Sequence, residues 1–328
     1  MKTVLVLGSN SPSGATFCAH ALSCGYRVVA TSRSLEKPDV FLPYKWGEHS
    51  NLSFYKIDLN QDLDSLQELL SKYKPAFVFN FASQSMVGQS WDTPTDWMRT
   101  NVVSLVALLE LLRNQDYLER YVHFSTPEVY GSTDGWIKEN NHFDPSTPYA
   151  SSRAAGDMNV ALWEKTYDLP SIITRAANIY GEGQQLYRII PKTMLCCLSG
   201  KKLPLHGGGL SERAFVHCDD VSNALVEIAE RGRNGETYHI SPHHKVSIKE
   251  LVAMICTMGG YDIEQVADIA EDRLGKDQAY LLESSKIKDE LGWQPQISLE
   301  TGLKRCWDWC RQNQDELMGY EWVYHHKA

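Results

Sequence analysis

The chain opens on a nearly continuous apolar run, Thr3–Leu7 (TVLVL), and passes at once into the turn Gly8-Ser-Asn-Ser-Pro-Ser-Gly14. A strand that shows no polar alternation is buried on both faces, as the central strands of a parallel sheet are. The turn leads into a helical pattern over residues 15–23, closed by Gly25, and a second strand pattern over 26–30. A βαβ unit with a glycine-rich first turn places backbone N–H groups at a helix N-terminus, where a phosphate can sit. Gly8, Asn10, Ser11 and Gly14 are therefore candidates for a dinucleotide diphosphate. Ser11 stands where the short three-glycine fingerprint has its middle glycine.

The alternation continues. Strand patterns over 51–57, 76–81, 121–124 and 171–175 are separated by helical patterns over 63–72, 95–114 and about 147–167. Asp58 and Leu59, just past a strand end, are placed to touch an adenine, and Ala82 opens the turn after the next strand. At the end of the second strand, where an NAD site would show Asp or Glu, the residues are Thr31-Ser32-Arg33-Ser34. Arg beside hydroxyls suits a 2′-phosphate, so Ser32 and Arg33 predict NADP over NAD. In the 95–114 helix, Trp97, Val102, Leu105, Leu108, Leu109 and Leu112 form an apolar stripe that reads as core or dimer face. After 178–181 the rhythm changes to longer loops with Pro, Gly and His clusters. The expected fold is α/β, a Rossmann-type doubly wound parallel sheet with a smaller, interleaved C-terminal substrate domain. Residues 1–178, with contributions from about 210–240, would form the dinucleotide domain, and 179–328 the other.

The chemistry concentrates between His123 and Arg153. Thr126 and Glu128 follow a strand end, the usual place for reactive groups in a parallel sheet. Tyr149 and Arg153 lie one helical turn apart. A phenol with a pKa near 10 is a poor base at neutral pH unless a fixed cation favours its phenolate. A hydroxyl, a carboxylate and an activated phenol suffice for redox chemistry at a carbinol, with proton abstraction beside the new carbonyl.

Charge narrows the partners. A net charge of −9 argues against a broad nucleic-acid or anionic-membrane surface. Eight scattered cysteines without a CxxC pair suit reduced thiols. His206, His217, His239, His243 and His244 fit no standard zinc spacing, so no metal is expected. A strand that starts at Thr3 leaves no signal peptide ahead of it, and the expected location is the cytoplasm. No apolar run approaches 18 residues, so no membrane span is expected.

Taken together, the marks resemble the extended short-chain dehydrogenase/reductase family, in its branch of nucleotide-sugar dehydratases and epimerases. They run in the family's order: the glycine turn, Asn80-Phe-Ala-Ser-Gln-Ser, Phe124-Ser-Thr-Pro-Glu-Val-Tyr-Gly131, Pro148-Tyr149 and Thr174-Arg-Ala-Ala-Asn178-Ile-Tyr-Gly181. Further on come Leu203-Pro-Leu-His-Gly-Gly-Gly209, Arg213-Ala-Phe-Val-His217, Asp272-Arg273-Leu-Gly275-Lys-Asp277 and Leu291-Gly-Trp-Gln-Pro295. Thr-x-Glu-Val-Tyr-Gly is similar to the 4,6-dehydratases of dTDP-glucose and GDP-mannose; uronate decarboxylases also carry Glu there.

The resemblance implies that Tyr149 takes the C4 hydroxyl proton, Thr126 bonds the C4 oxygen, and Glu128 removes the C5 proton. Arg153, standing where the family has Lys, would keep the charge beside Tyr149, and both would also touch the cofactor. Gln84, Asn178, Arg188, Arg213 and Arg273 match positions that hold the sugar and its diphosphate. Pro127 replaces the leaving-group acid of the glucose-type enzymes. A 4,6-dehydratase acting on a nucleotide-diphosphate sugar as a homodimer is the leading expectation. An epimerase, a 5,6-dehydratase and a non-catalytic nucleotide-sugar sensor are the alternatives.

Overall fold

In the computed structural model, residues 1–47, 50–271 and 279–327 are described. The first strand, β1 (Thr3–Leu7), sends Val4 and Val6 into one apolar layer and Leu5 and Leu7 into another. Side chains alternate faces along a strand, so burial on both sides explains a run without polar alternation. α1 (Pro12–Ser23) begins with proline in its first turn and Ser11 as cap, whose Oγ accepts from the Gly14 N–H at 3.0 Å. β2 (Arg27–Ser32), β3 (Leu52–Lys56), α2 (Leu63–Tyr73) and β4 (Phe77–Asn80) follow.

α3 (Pro94–Met98) runs through a π-turn, Arg99–Val103, into α4 (Ser104–Leu112). Of the apolar stripe there, Trp97, Leu105, Leu108, Leu109 and Leu112 are buried within the chain's own core. β5 (Arg120–Phe124), the short β6 (Trp136–Ile137), α5 (Pro148–Tyr167) and β7 (Ser171–Ala176) complete the first alternation. Then come β8 (Asn178–Tyr180), α6 (Ile189–Ser199), β9 (Leu203–His206), β10 (Glu212–Arg213), β11 (Phe215–His217), α7 (Cys218–Arg231) and β12 (Thr237–Ile240).

Seven strands form one parallel sheet in the order β12-β7-β5-β4-β1-β2-β3. This is the doubly wound Rossmann arrangement, with its order reversing between β1 and β4. One face is covered by α1 and α7 through Phe17, Val221, Leu225 and Ile228. The other is covered by α2, α4 and α5 through Leu66, Leu70, Leu108 and Val160. Truncating any fully buried Leu in these layers to Ala costs about 2–5 kcal/mol. Residues beyond 178 thus return to the sheet through α7 and β12. A separate core gathers Ile190, Met194, Leu195, Leu251, Ile255 and Trp307. Among the described residues no helix is long and apolar enough to cross a membrane. All eight cysteines are free.

The consequence for function is positional. Ligands of open α/β sheets bind outside the carboxyl ends of the strands, at the point where strand order reverses. Here that point lies between Gly8, after β1, and Phe81-Ala82, after β4.

Candidate active site

Two glycines shape the crevice. Gly8 has φ +86°, and a Cβ there would lie 2.7 Å from the Ala82 nitrogen. A Cβ on Gly14 would lie 2.5 Å from the Gly8 carbonyl oxygen. The close approach of turn, helix and β4 therefore requires that both positions carry no side chain. The first turn of α1 has no acidic residue, so no carboxylate there offsets the helix dipole. This cradle fits a diphosphate.

A cavity of about 520 Å³ runs from Ser11, Pro12 and Ser13 past Phe124 and Ala177 to Leu203 and Ile248, a volume typical of small-molecule sites. Thr126, Glu128, Tyr149 and Arg153 all line it. Thr126 caps the short 3-10 turn Pro127–Tyr130, its Oγ1 accepting from the Glu128 N–H at 3.4 Å. That turn sits directly after β5, so the strand end aims both side chains at the opening. Thr147 caps α5, accepting from the Ala150 N–H at 3.1 Å, and sets Tyr149 in the first turn. Burial pushes the Tyr149 phenol up from its ordinary value and Glu128 pushes it further, while Arg153, a bond to Thr126 and Arg188 pull it down. The cation acts in the expected direction, yet burial and the neighbouring carboxylate outweigh it.

Asn178, Arg188 and Arg213 also line the cavity. Sequence reasoning missed Tyr280, which joins three of these groups. Its hydroxyl donates to Asn178 Oδ1 at 2.9 Å and to Glu128 Oε1 at 3.5 Å. The Arg213 guanidinium lies 4.2 Å from the centre of its ring, within cation–π range. Nothing in the sequence singles out this one tyrosine among 16. Arg273 lies outside the described residues.

The other candidates sit away from the cavity wall. Asn10 donates from Nδ2 to the Ser34 and Leu35 carbonyls, at 3.4 and 2.8 Å, which pins the loop after β2. Asp58 turns back on itself, accepting from the Asn60 N–H at 2.9 Å, and Leu59 is buried core. The Ala82 N–H donates to Asn80 Oδ1 at 3.0 Å. Ser32 is buried at the end of β2. Gln84 is buried too, and its Nε2 donates to the Lys327 carbonyl at 2.7 Å. Arg33 donates to that same carbonyl at 2.8 Å. Around it, His326 stacks on Trp97 at 4.7 Å and bonds Asp96 at 2.8 Å, while Tyr324 meets Tyr187 edge-on. The 324–327 segment thus crosses the cleft at the end where the loop after β2 lies.

Among the described residues Glu182, His217 and Cys218 bring possible metal-ligand atoms within 4.8 Å of one another. The Glu182 carboxylate is already engaged, by His217 at 3.0 Å and Arg305 at 2.8 Å. That ion-paired arrangement accounts for the cluster without an ion.

The doubly wound sheet, the glycine cradle and the Thr-Glu-Tyr wall define an extended short-chain dehydrogenase/reductase of the nucleotide-sugar dehydratase branch. Within that class, the chain belongs to the family described as GDP-mannose 4,6 dehydratase, whose model matches residues 5–306. It is 32% identical over 339 residues to a dTDP-glucose 4,6-dehydratase of Xanthomonas campestris, with 97% of this chain and 96% of that protein covered. It is 34% identical over 267 residues to a trifunctional UDP-glucose 4,6-dehydratase/epimerase/reductase of Arabidopsis thaliana, covering 80% of this chain and 40% of that longer protein. A solved dTDP-glucose 4,6-dehydratase of Streptomyces venezuelae superposes with a TM-score of 0.89 at 31% identity, covering 96% of this chain and 98% of its own.

That Streptomyces structure holds NAD, which overturns the expectation of NADP drawn from Ser32 and Arg33. The structure supplies the physical reason, because the Arg33 guanidinium is turned to the Lys327 carbonyl. A carbonyl partner contributed from the other end of the chain cannot be read from the loop that carries the arginine.

Proposed function

We propose that this protein is a nucleotide-diphosphate-sugar 4,6-dehydratase that uses NAD. The observation that carries the reading is the convergence of Thr126, Glu128 and Tyr149 on one cavity that begins at the α1 N-terminus. An epimerase acting at C4 has no use for a carboxylate at Glu128, and a sensor has no use for any of the three.

The 8–14 turn would hold the cofactor diphosphate, with the ends of β2, β3 and β4 (Ser32, Asp58, Leu59, Ala82) flanking its adenosine. When bound, NAD supplies a hydride acceptor for C4 and a hydride donor for C6. Tyr149 takes the C4 hydroxyl proton, and the Thr126 hydroxyl steadies the C4 oxygen. The resulting ketone acidifies C5, and Glu128 removes that proton. Pro127 offers no proton to the departing C6 hydroxyl, so Glu128 returns its own and water leaves from the same face; Glu128, reprotonated from solvent, then gives C5 its proton as C6 is reduced. Positioned acid–base groups of this kind are each worth about 10²–10⁴ in rate. Arg188 and Arg213 bind the substrate diphosphate, since guanidinium forks suit phosphate oxygens, and Asn178 borders the sugar. Residues 1–178, with the 210–240 segment, serve the cofactor, and 179–328 mainly the nucleotide sugar.

The second part of the reading concerns assembly. Met98 and Val103 on one side of the α3–α4 helix, and Met158 and Leu162 on α5, are exposed. Exposed apolar groups on two packed helices suit a second copy of the chain, and sedimentation at micromolar concentration should give a dimer. The enzymatic reading is tested by incubating the protein with UDP-, dTDP-, GDP- and CDP-hexoses and reading mass. Loss of one water from one of them is expected. Interconversion without change of mass would replace the dehydratase with an epimerase.

A further inference from the structure

Behind the catalytic wall, at the end of β5, lies an imidazole with no place in the chemistry above. We propose that His123 is the positioning residue for Arg153, a neutral ring that fixes the guanidinium beside Tyr149; this rests on Tyr149 being the base.

Arg153 is almost wholly buried, and its Nη2 donates to His123 Nε2 at 3.2 Å and to the Phe124 carbonyl. A guanidinium can only donate. Nε2 must therefore be the bare nitrogen, and the single ring proton sits on Nδ1. That nitrogen meets the Tyr121 hydroxyl at 3.0 Å, which accepts from the Asn80 amide at 3.0 Å. Asn80 Oδ1 in turn accepts from the Ala82 N–H at 3.0 Å. A buried chain of four bonds thus joins the crevice turn after β4 to the catalytic helix α5. Its members lie on three adjoining elements, and it fixes the tautomer.

Protonating Nε2 would set one N–H against another. Burial, then Arg153 and Arg175, drive His123 well below its ordinary pKa. On the far side, Asp157 Oδ1 stands 3.6 Å from Nε2 without a hydrogen bond of its own. Its Oδ2 is taken by Arg175 Nε at 3.1 Å and Nη2 at 2.8 Å. The ring therefore stays neutral across the working pH range and holds Arg153 as an acceptor. The groups facing the Tyr149 phenol are Glu128, which raises it, and Thr126, Arg153 and Arg188, which lower it; the phenol of Tyr280 also faces it. A loosened Arg153 takes away one of the three that favour the phenolate.

The test compares kcat/KM against pH for the wild type, His123→Phe, which keeps a ring and removes the acceptor, and His123→Gln, which restores one. In His123→Phe the acidic, rising limb should move up by about one pH unit, a roughly tenfold loss at pH 7 that is recovered at higher pH. His123→Gln should lie within about threefold of wild type, because its amide oxygen again gives the guanidinium an acceptor. A loss equal at every pH, or none, would overturn the positioning role. Tyr149→Phe is run alongside: full activity there removes the base assignment itself, whereas an inactive Tyr149→Phe with an unmoved His123→Phe profile removes only the positioning. Should His123→Phe not fold, long-range ¹⁵N–¹H spectra of the wild type decide the matter. The His123 signal should show a proton on Nδ1 and a bare Nε2 from pH 5 to 9; a proton on Nε2 would overturn the proposal.

Discussion

The catalytic wall and the opposite end of the same cleft are built by contrasting kinds of contact. At the wall, Thr126 and Glu128 follow β5 directly, and Tyr149 and Arg153 stand in the first turns of the next long helix. Thr126, Glu128 and Tyr149 are each aimed by a local device, a strand end, a 3-10 turn or an N-cap, and Arg153 is held by the neighbouring strand β5, 30 positions away. At the other end, the group that receives Arg33 and Gln84 is the Lys327 carbonyl, 294 and 243 positions away. The wall is set mainly by the strand end and the helix start that carry it, and the other end by a long-range contact. Substitutions at the wall should therefore act on chemistry, and substitutions at the far end on packing and affinity.

The largest effect expected is at the wall. Tyr149→Phe should lower turnover by about 10²–10⁴ with little change in thermal stability, because the ring stays and only the acid–base group goes. Stopped-flow turnover beside a melting curve checks both halves. Next comes the scaffold beneath the wall. Asp157→Ala would strand Arg175, which is fully buried, and the loss of one partner of a buried pair costs about 3–5 kcal/mol. Urea unfolding should show it as a lowered midpoint with an unchanged slope. A smaller effect is expected at the far end, where His326→Ala removes an aromatic stack worth about 1 kcal/mol and should leave kcat alone. Smallest of all, Arg33→Ala should change NAD affinity by less than about 1.4 kcal/mol, that is under tenfold, because its guanidinium donates to the Lys327 carbonyl. A tenfold or larger loss of NAD binding by calorimetry would restore Arg33 to the cofactor site.

The same contrast explains what the sequence made legible. Strand runs buried on both faces, the glycine turn and the caps of α1 and α5 are local, and their residues converge where the patterns imply. Thr126, Glu128, Tyr149, Arg153, Asn178, Arg188 and Arg213 reach one cavity because β5, α5, β8 and the following segments are set by the sheet order. The stripe on α3–α4 was ambiguous between core and partner face, and burial of Trp97 and four leucines assigns it to the core. Tyr280 was invisible because its partners, Asn178 and Glu128, lie 102 and 152 positions away. Arg33 misled for a related reason: a cation in a loop advertises an anion, and the acceptor it found is a backbone carbonyl. His123 looked like part of a strand, and only the path of Arg153 gives its ring a task.

Glu128→Gln tests the central claim most directly, because it separates oxidation at C4 from proton removal at C5. The substitution keeps the size of the side chain and leaves Thr126 and Tyr149 in place. In deuterated water, wild-type protein should place solvent deuterium at C5 of the product. In Glu128→Gln the absorbance of reduced nicotinamide should appear and persist, water loss should fall by about 10²–10⁴, and deuterium at C5 should vanish. Full activity in Glu128→Gln, or wild-type conversion without any exchange at C5, would contradict the dehydratase account.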